Sequence, residues 1–137
     1  MSGFETTIQV RFGHVDPAGI AYFPRLFDYI HDVFEEVWEE HVGQRYYHLL
    51  LERRIGFPLV HSDVDFSKPL RFGDRPRVLV TTEHLGRASL RLRYRFYLED
   101  ELCLDARMTT ACINLDTMKS VPIDPLHRER FEALLDD

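Results

Sequence analysis

At 137 residues, 45% hydrophobic and 29% charged, the chain has the length and composition of one globular domain with a core of its own, which excludes a disordered or low-complexity protein. A net charge of −6 disfavours wrapping a nucleic-acid backbone, so no nucleic-acid partner is expected. No apolar run is long enough to span a bilayer, and Met1 to Glu5 lacks the basic and then apolar order of a secretory leader, so the expectation is a cytoplasmic protein with no membrane partner.

Glu5 to Phe12 alternates and is rich in Thr, Ile and Val, which predicts a first strand. The next segment, Gly13-His14-Val15-Asp16-Pro17-Ala18-Gly19, reads as a loop. Pro17 biases Asp16 to an extended backbone, and Gly19 is free to take a positive φ where the chain turns. From Tyr22 to Val42 the period becomes helical: Phe23, Leu26, Phe27, Ile30, Val33, Phe34, Val37 and Trp38 fill one arc, with acidic side chains opposite. Pro24 falls in the first turn, where its missing N–H has no intrahelical partner, and Gly43 is a natural stop.

Strands are then expected at Val60–Leu70, Arg77–Leu85, Ala88–Tyr97 and Leu102–Leu115, followed by a short helix at Asp124–Leu135. The third of these alternates most cleanly, with Leu90, Leu92, Tyr94 and Phe96 on one face and Arg91, Arg93 and Arg95 on the other. The connections at Phe72-Gly73-Asp74, Leu85-Gly86-Arg87 and Glu99-Asp100-Glu101 are short, which predicts an antiparallel meander of four strands. The whole is a single α+β domain over residues 1–137, an antiparallel sheet of about five strands wrapped around one long helix. Cys103 and Cys112, nine positions apart on one expected strand, are too distant to pair there and read as reduced, buried thiols.

Charge is unevenly spread. Lys68 to Arg95 holds eight basic residues and two acids, leaving the remainder strongly acidic. Such a segment either holds a phosphate-bearing ligand or forms a solvated sheet face with counter-charges from elsewhere.

Asp16 is the leading chemical candidate, because it precedes a helix start where free N–H groups and the positive end of the dipole gather. A carboxylate to attack or to activate water, beside donors for an oxyanion, is what acyl transfer needs. An Asx-turn or capping aspartate is the structural alternative at the same position. His61, Asp63 and Asp65 alternate on one strand, at a spacing too wide for one metal ion, and read as a polar strand face. There is no phosphate-binding glycine loop and no Gly-x-Ser-x-Gly elbow.

The run Phe12-Gly13-His14-Val15-Asp16-Pro17-Ala18-Gly19-Ile20-Ala21-Tyr22-Phe23-Pro24 resembles the signature of the 4-hydroxybenzoyl-CoA thioesterase family of hotdog proteins. The resemblance implies a hotdog fold and hydrolysis of an acyl-CoA, with the Asp16 carboxylate as nucleophile or general base. It implies that the N–H of Phe23 aims at the thioester carbonyl and that Gly19 completes the catalytic loop. It also places the acyl pocket along the helix, where Tyr22, Phe27 and His31 are candidate substrate contacts, and brings Arg87, in the turn between two middle strands, towards a CoA phosphate, with Lys68 and Arg71 as weaker candidates. His31 has a structural alternative as the partner of Glu35 one turn on. The position two before Asp16, often acidic in the family, is His14 here, either a nearby proton carrier or, the favoured reading, a strand-end surface residue. Relatives acting on short aliphatic acyl-CoAs carry His where this chain has Phe23, which tilts the expectation to an aryl-acyl group such as a hydroxybenzoyl. The family implies no metal, no cofactor beyond the CoA of the substrate, and a homodimer or homotetramer. Alternatives are an aliphatic acyl-CoA thioesterase, a hotdog hydratase or dehydratase, and a non-catalytic acyl-CoA binder.

Overall fold

The computed structural model describes residues 3–136; the reading of the amino terminus at Met1 and Ser2, and the last residue of the 1–137 domain, lie outside them. The apolar arc after Tyr22 forms helix α1, Phe23–Glu36, which continues through a wider π-helical stretch, Val37–Val42. It stops at Gly43, whose φ of 88° an L side chain adopts only at a cost. Ile30, Val33, Phe34, Val37 and Trp38 are buried as expected, and Tyr29 joins them. Phe23 and Phe27 do not: they stand 64% and 39% exposed.

Five strands, β1 (Phe4–Thr7), β3 (Leu59–Phe66), β4 (Arg77–Leu85), β5 (Ser89–Leu98) and β6 (Glu101–Ala111), form one antiparallel sheet in the order β1-β4-β5-β6-β3. Between them lie helix α2 (Tyr46–Leu51) and the two-residue strand β2 (Ile55–Gly56); beyond β6 come β7 (Ile113–Asn114), β8 (Lys119–Ser120) and helix α3 (Pro125–Glu132). Strands β2, β7 and β8 make a second small sheet. Neither α2 nor this small sheet was expected, since six- and two-residue elements leave no readable period.

The alternation of β5 sorts as expected. Leu90, Leu92, Tyr94 and Phe96 are buried with Leu104, Ala106 and Met108 of β6, in one cluster with the α1 side chains. Trp38, fully buried, packs edge-on against Phe131 and His127 of α3 at ring distances of 5.3 and 4.9 Å. Truncating such a side chain to Ala costs about 3–5 kcal/mol. Asp124 caps α3, its side chain accepting the N–H of Leu126.

Three expectations need correction. The first strand ends at Thr7, because its partner strand begins at Arg77 and Pro76 has no N–H to extend the ladder; Phe12 lies in a 3-10 turn, Phe12–His14. The four later strands are not a simple meander. Strand β3 pairs with β6 on the far edge, not with β4, whose outer edge β1 occupies. The chain from Ser67 to Pro76 therefore crosses the end of the sheet, and Phe72-Gly73-Asp74 is a bend within that crossing rather than a hairpin turn. Finally, Cys112 falls one residue past β6; both cysteines are free and buried.

Most of the basic segment is counter-charged within the chain. Arg93 meets Asp105 through two hydrogen bonds, Arg91 meets Glu83, Arg95 meets Asp136, and Arg77 meets Glu5. Lys68 pairs with Glu101. The counter-charged face accounts for these five, while the side chains of Arg71, Arg75 and Arg87 have no ion pair among the described residues.

Candidate active site

The loop before α1 folds back on itself. Val15 bridges Ala21, the N–H of Asp16 donates to the carbonyl of Ile20 at 2.9 Å, and the N–H of Tyr22 donates to the carbonyl of His14 at 2.8 Å. The turn closes where the N–H of Gly19, at φ 78°, donates to the carbonyl of Asp16 at 2.9 Å. A crossing segment buttresses the loop from outside: the N–H of Ala21 donates to Leu70 and that of Phe72 to Gly19. Asp16 is thus held by backbone on every side.

Its carboxylate is half-buried. Oδ1 accepts the N–H of Ala18 at 2.9 Å and that of Ile20 at 3.4 Å, the Asx-turn pattern anticipated as the structural alternative. Oδ2 has no hydrogen-bond partner among the described residues. One oxygen fixes the orientation of the group and the other has no partner among the described residues.

Seven residues on, α1 begins. Tyr22 is its N-cap residue and contributes no side-chain cap, Pro24 has no N–H, and Arg25 donates to the carbonyl of Tyr22 at 2.8 Å. The N–H of Phe23 has no acceptor among the described residues. A free N–H at a helix start carries the positive end of the dipole and attracts developing negative charge.

His14 is more than the surface residue expected. The hydroxyl of Tyr29, on α1, lies 2.9 Å from its Nδ1. Nδ1 also accepts the N–H of Arg11 at 3.3 Å, which puts the ring proton on Nε2 and makes Tyr29 the donor.

Two cavities open along the groove between α1 and the β6–β3 edge of the sheet. One of about 200 Å³ lies at the helix start, between Phe23 and Leu26 on one side and Phe66 and Leu104 on the other. The second, of about 250 Å³, lies further along α1, walled by Phe27, Ile30, His31 and Phe34, by Tyr46 and Phe57, and by Leu92, Tyr94, Met108 and Thr110. Phe27 and His31 line this cavity, and His31 pairs with Glu35 at 2.8 Å, the partner of its structural alternative. Tyr22 is exposed beside the loop and lines neither cavity. Trp38 lies behind the cavity wall, its ring 5.7 Å from that of Tyr46 and 5.1 Å from that of Phe57.

Arg87 is not brought to Asp16 within one subunit. Its turn is bound to α3, with the carbonyl of Gly86 accepting from Arg128 and that of Arg87 from Ile123. Helix α3 packs at the Trp38 end of the long helix, roughly 20 Å along the axis from Phe23 at 1.5 Å per residue. His61, Asp63 and Asp65 are exposed on β3, and no cluster of three potential ligands capable of holding a metal ion occurs among the described residues. The cavity wall formed by Tyr46, Phe57, Met108 and Thr110 was not foreseen. The one available signal was Tyr94, a hydroxyl on an otherwise hydrocarbon strand face.

With this geometry in place, likeness to known proteins becomes decisive. The family model described as the thioesterase-like superfamily matches residues 10–131. The chain belongs to that superfamily of thioester hydrolases. A 1,4-dihydroxy-2-naphthoyl-CoA hydrolase of Crocosphaera subtropica is 30% identical over 127 residues, covering 92% of this chain and 86% of its own. One of Thermosynechococcus vestitus is 30% identical over 120 residues, covering 85% and 81%. The crystal structure of a thioesterase-superfamily protein from Jannaschia sp. superimposes with a TM-score of 0.91 at 26% identity, covering 99% of this chain and 95% of that one. The fold is the hotdog expected from the loop signature. Among the described residues, no helix is long and apolar enough to cross a membrane.

Proposed function

We propose that this protein hydrolyses an aryl-acyl-CoA, with water, to the free acid and CoA thiol. The observation that carries the reading is the pairing of Asp16, one carboxylate oxygen anchored and one free, with the unclaimed N–H of Phe23 at the start of α1. The carboxylate attacks the thioester carbonyl or takes the proton of the attacking water. The N–H of Phe23 meets the negative charge that forms on the carbonyl oxygen, and Gly19 keeps the turn tight enough to hold both. The thiolate leaves and takes up a proton; where the carboxylate itself attacked, water then hydrolyses the mixed anhydride on Asp16, releasing the free acid and restoring the carboxylate, so no redox partner, metal or cofactor is required.

The aryl preference draws on the aromatic walls of the groove and on relatives whose names specify a naphthoyl-CoA. No observation favours an aliphatic acyl group or a hydration reaction. Two buried thiols fit a reducing cytoplasm.

We further propose a homodimer, or a tetramer built from it. Strand β3 is a bare edge that exposes Leu59, Val60 and Phe66 at 53–61%, a liability unless covered. Antiparallel pairing of β3 with its own copy would close this edge, and would also bring the Arg87 turn of the second copy to the end of the sheet where Asp16 lies, giving Arg87 a route to a CoA phosphate.

The test is thiol release from a panel of aryl- and alkyl-CoA esters. The expected result is fastest release from aryl esters, falling at least 100-fold in Asp16→Asn and Asp16→Ala. Undiminished release by either variant, or none from any ester by the native protein, would refute it.

A further inference from the structure

The larger cavity is mainly apolar, yet one wall carries a hydroxyl with no protein partner among the described residues. Tyr94 keeps 1% of its surface exposed and lines the cavity, and its hydroxyl has no hydrogen-bond partner among the described residues. The hydroxyl is therefore free to bond a group seated in the cavity, which a Phe at this position could not do. Burial alone pushes its ionisation far up, so it is a neutral phenol at any working pH. On the facing wall, the oxygen of Tyr46 accepts the N–H of Phe57 at 2.8 Å, which leaves its own proton to give. Thr110, by contrast, is committed to the carbonyl of Leu90 at 3.3 Å.

The position of the cavity says what this phenol meets. Phe27 is one turn beyond Phe23, and the wall from Phe27 to Phe34 covers about 10 Å of helix. An acyl carbonyl seated at the N–H of Phe23 therefore sends its ring along α1 into this space. We propose that Tyr94 is a specificity-determining residue: its hydroxyl hydrogen-bonds an uncharged oxygen substituent, hydroxyl or keto, on the part of the acyl ring remote from the thioester, and the cavity rejects a charged substituent there. Rejection follows because His31, the one ionisable cation lining the cavity among the described residues, already faces Glu35 at 2.8 Å, so an ionised group would enter a mainly apolar space without a counter-charge. This inference rests on the aryl-acyl-CoA reading and deepens it.

Calorimetric titration with three non-hydrolysable ketone analogues, phenacyl-CoA, 4-hydroxyphenacyl-CoA and 4-carboxyphenacyl-CoA, tests it. The native protein should bind the hydroxy compound about tenfold tighter than the unsubstituted one, equivalent to about 1.4 kcal/mol, and the carboxy compound most weakly. In Tyr94→Phe the hydroxy-to-unsubstituted ratio should fall to within about twofold of one. No preference in the native protein, tightest binding of the carboxy compound, absence of any binding, or a preference that survives Tyr94→Phe would overturn the proposal. If the variant fails to fold, the native series still decides. Thiol release with no hydroxyl preference would sink the role of Tyr94 alone; the expected preference without thiol release from any ester would sink the hydrolase reading alone.

Discussion

The hydroxyl of Tyr29 donates to Nδ1 of His14 across 2.9 Å, and this bond fastens the Asp16 loop to the second turn of α1. His14 returns the connection through its carbonyl, which holds the N–H of Tyr22 at the helix start. The distance between the carboxylate and the free helix N–H is therefore set by two ties between the same pair of segments. Tyr29→Phe should cost about 1 kcal/mol of stability and lower kcat several-fold with little change in KM. Urea denaturation with steady-state kinetics checks this; unaltered kcat would mean that the loop keeps its position without the bond.

Gly19→Ala isolates the backbone. An added Cβ at Gly19 meets no atom within 4 Å, so crowding contributes nothing, and the whole cost comes from holding an Ala at φ 78°. That cost is about 1–2 kcal/mol. The expected outcome is a melting temperature lower by about 3–6 °C. Activity should fall as well, because relaxing the turn shifts the N–H of Ala18 that orients Asp16.

Arg93 gives Asp105 hydrogen bonds of 2.9 and 2.8 Å across the β5–β6 ladder and so holds its carboxyl below the usual carboxylate range. Folding thus weakens proton binding by Asp105. The stabilisation is complete above the unfolded value of 3.8 and is lost as pH falls through the lower folded value. Asp105→Asn should destabilise the protein by about 1–2 kcal/mol at pH 7, part of the pair remaining in contact with water. Native protein and variant should converge as pH falls below the unfolded value towards and past the lower folded one. Urea midpoints at pH 7, 5 and 3 would show the convergence; a constant difference would assign the effect to packing instead.

Val60 offers the sharpest test of the β3 edge. It is 61% exposed on a strand with no outer partner. Val60→Glu should convert a dimer to a monomer by light scattering while the far-ultraviolet dichroism stays native, because the side chain contributes little to the subunit core. A variant that remains dimeric would locate the interface elsewhere.

Much of this molecule can be read directly from its residues. The Thr/Val-rich run Arg77–Leu85 and the alternation through Leu90, Leu92, Tyr94 and Phe96 both appear as strands within one residue of the expected limits. The arc from Leu26 to Trp38 appears as the buried side of the long helix. The loop from Gly13 to Gly19 takes the turn that its proline and second glycine suggest, with Asp16 at its centre. These features are local: a period of two or 3.6, a fixed proline φ and a permissive glycine act within a few residues, and neighbours in sequence suffice to express them.

Other features depended on residues distant in sequence. Alternation assigns the faces of β3 but not its neighbour, and only β1 occupying the edge of β4 sends β3 across to β6. Likewise the cavity draws its walls from α1, from the Tyr46–Phe57 stretch, and from β5 and β6, four segments whose meeting no single period encodes. Whether a tyrosine on a hydrocarbon face is plain core or a polar contact for a ligand depends on what lies opposite its hydroxyl, and long-range packing alone leaves that space beside Tyr94 empty.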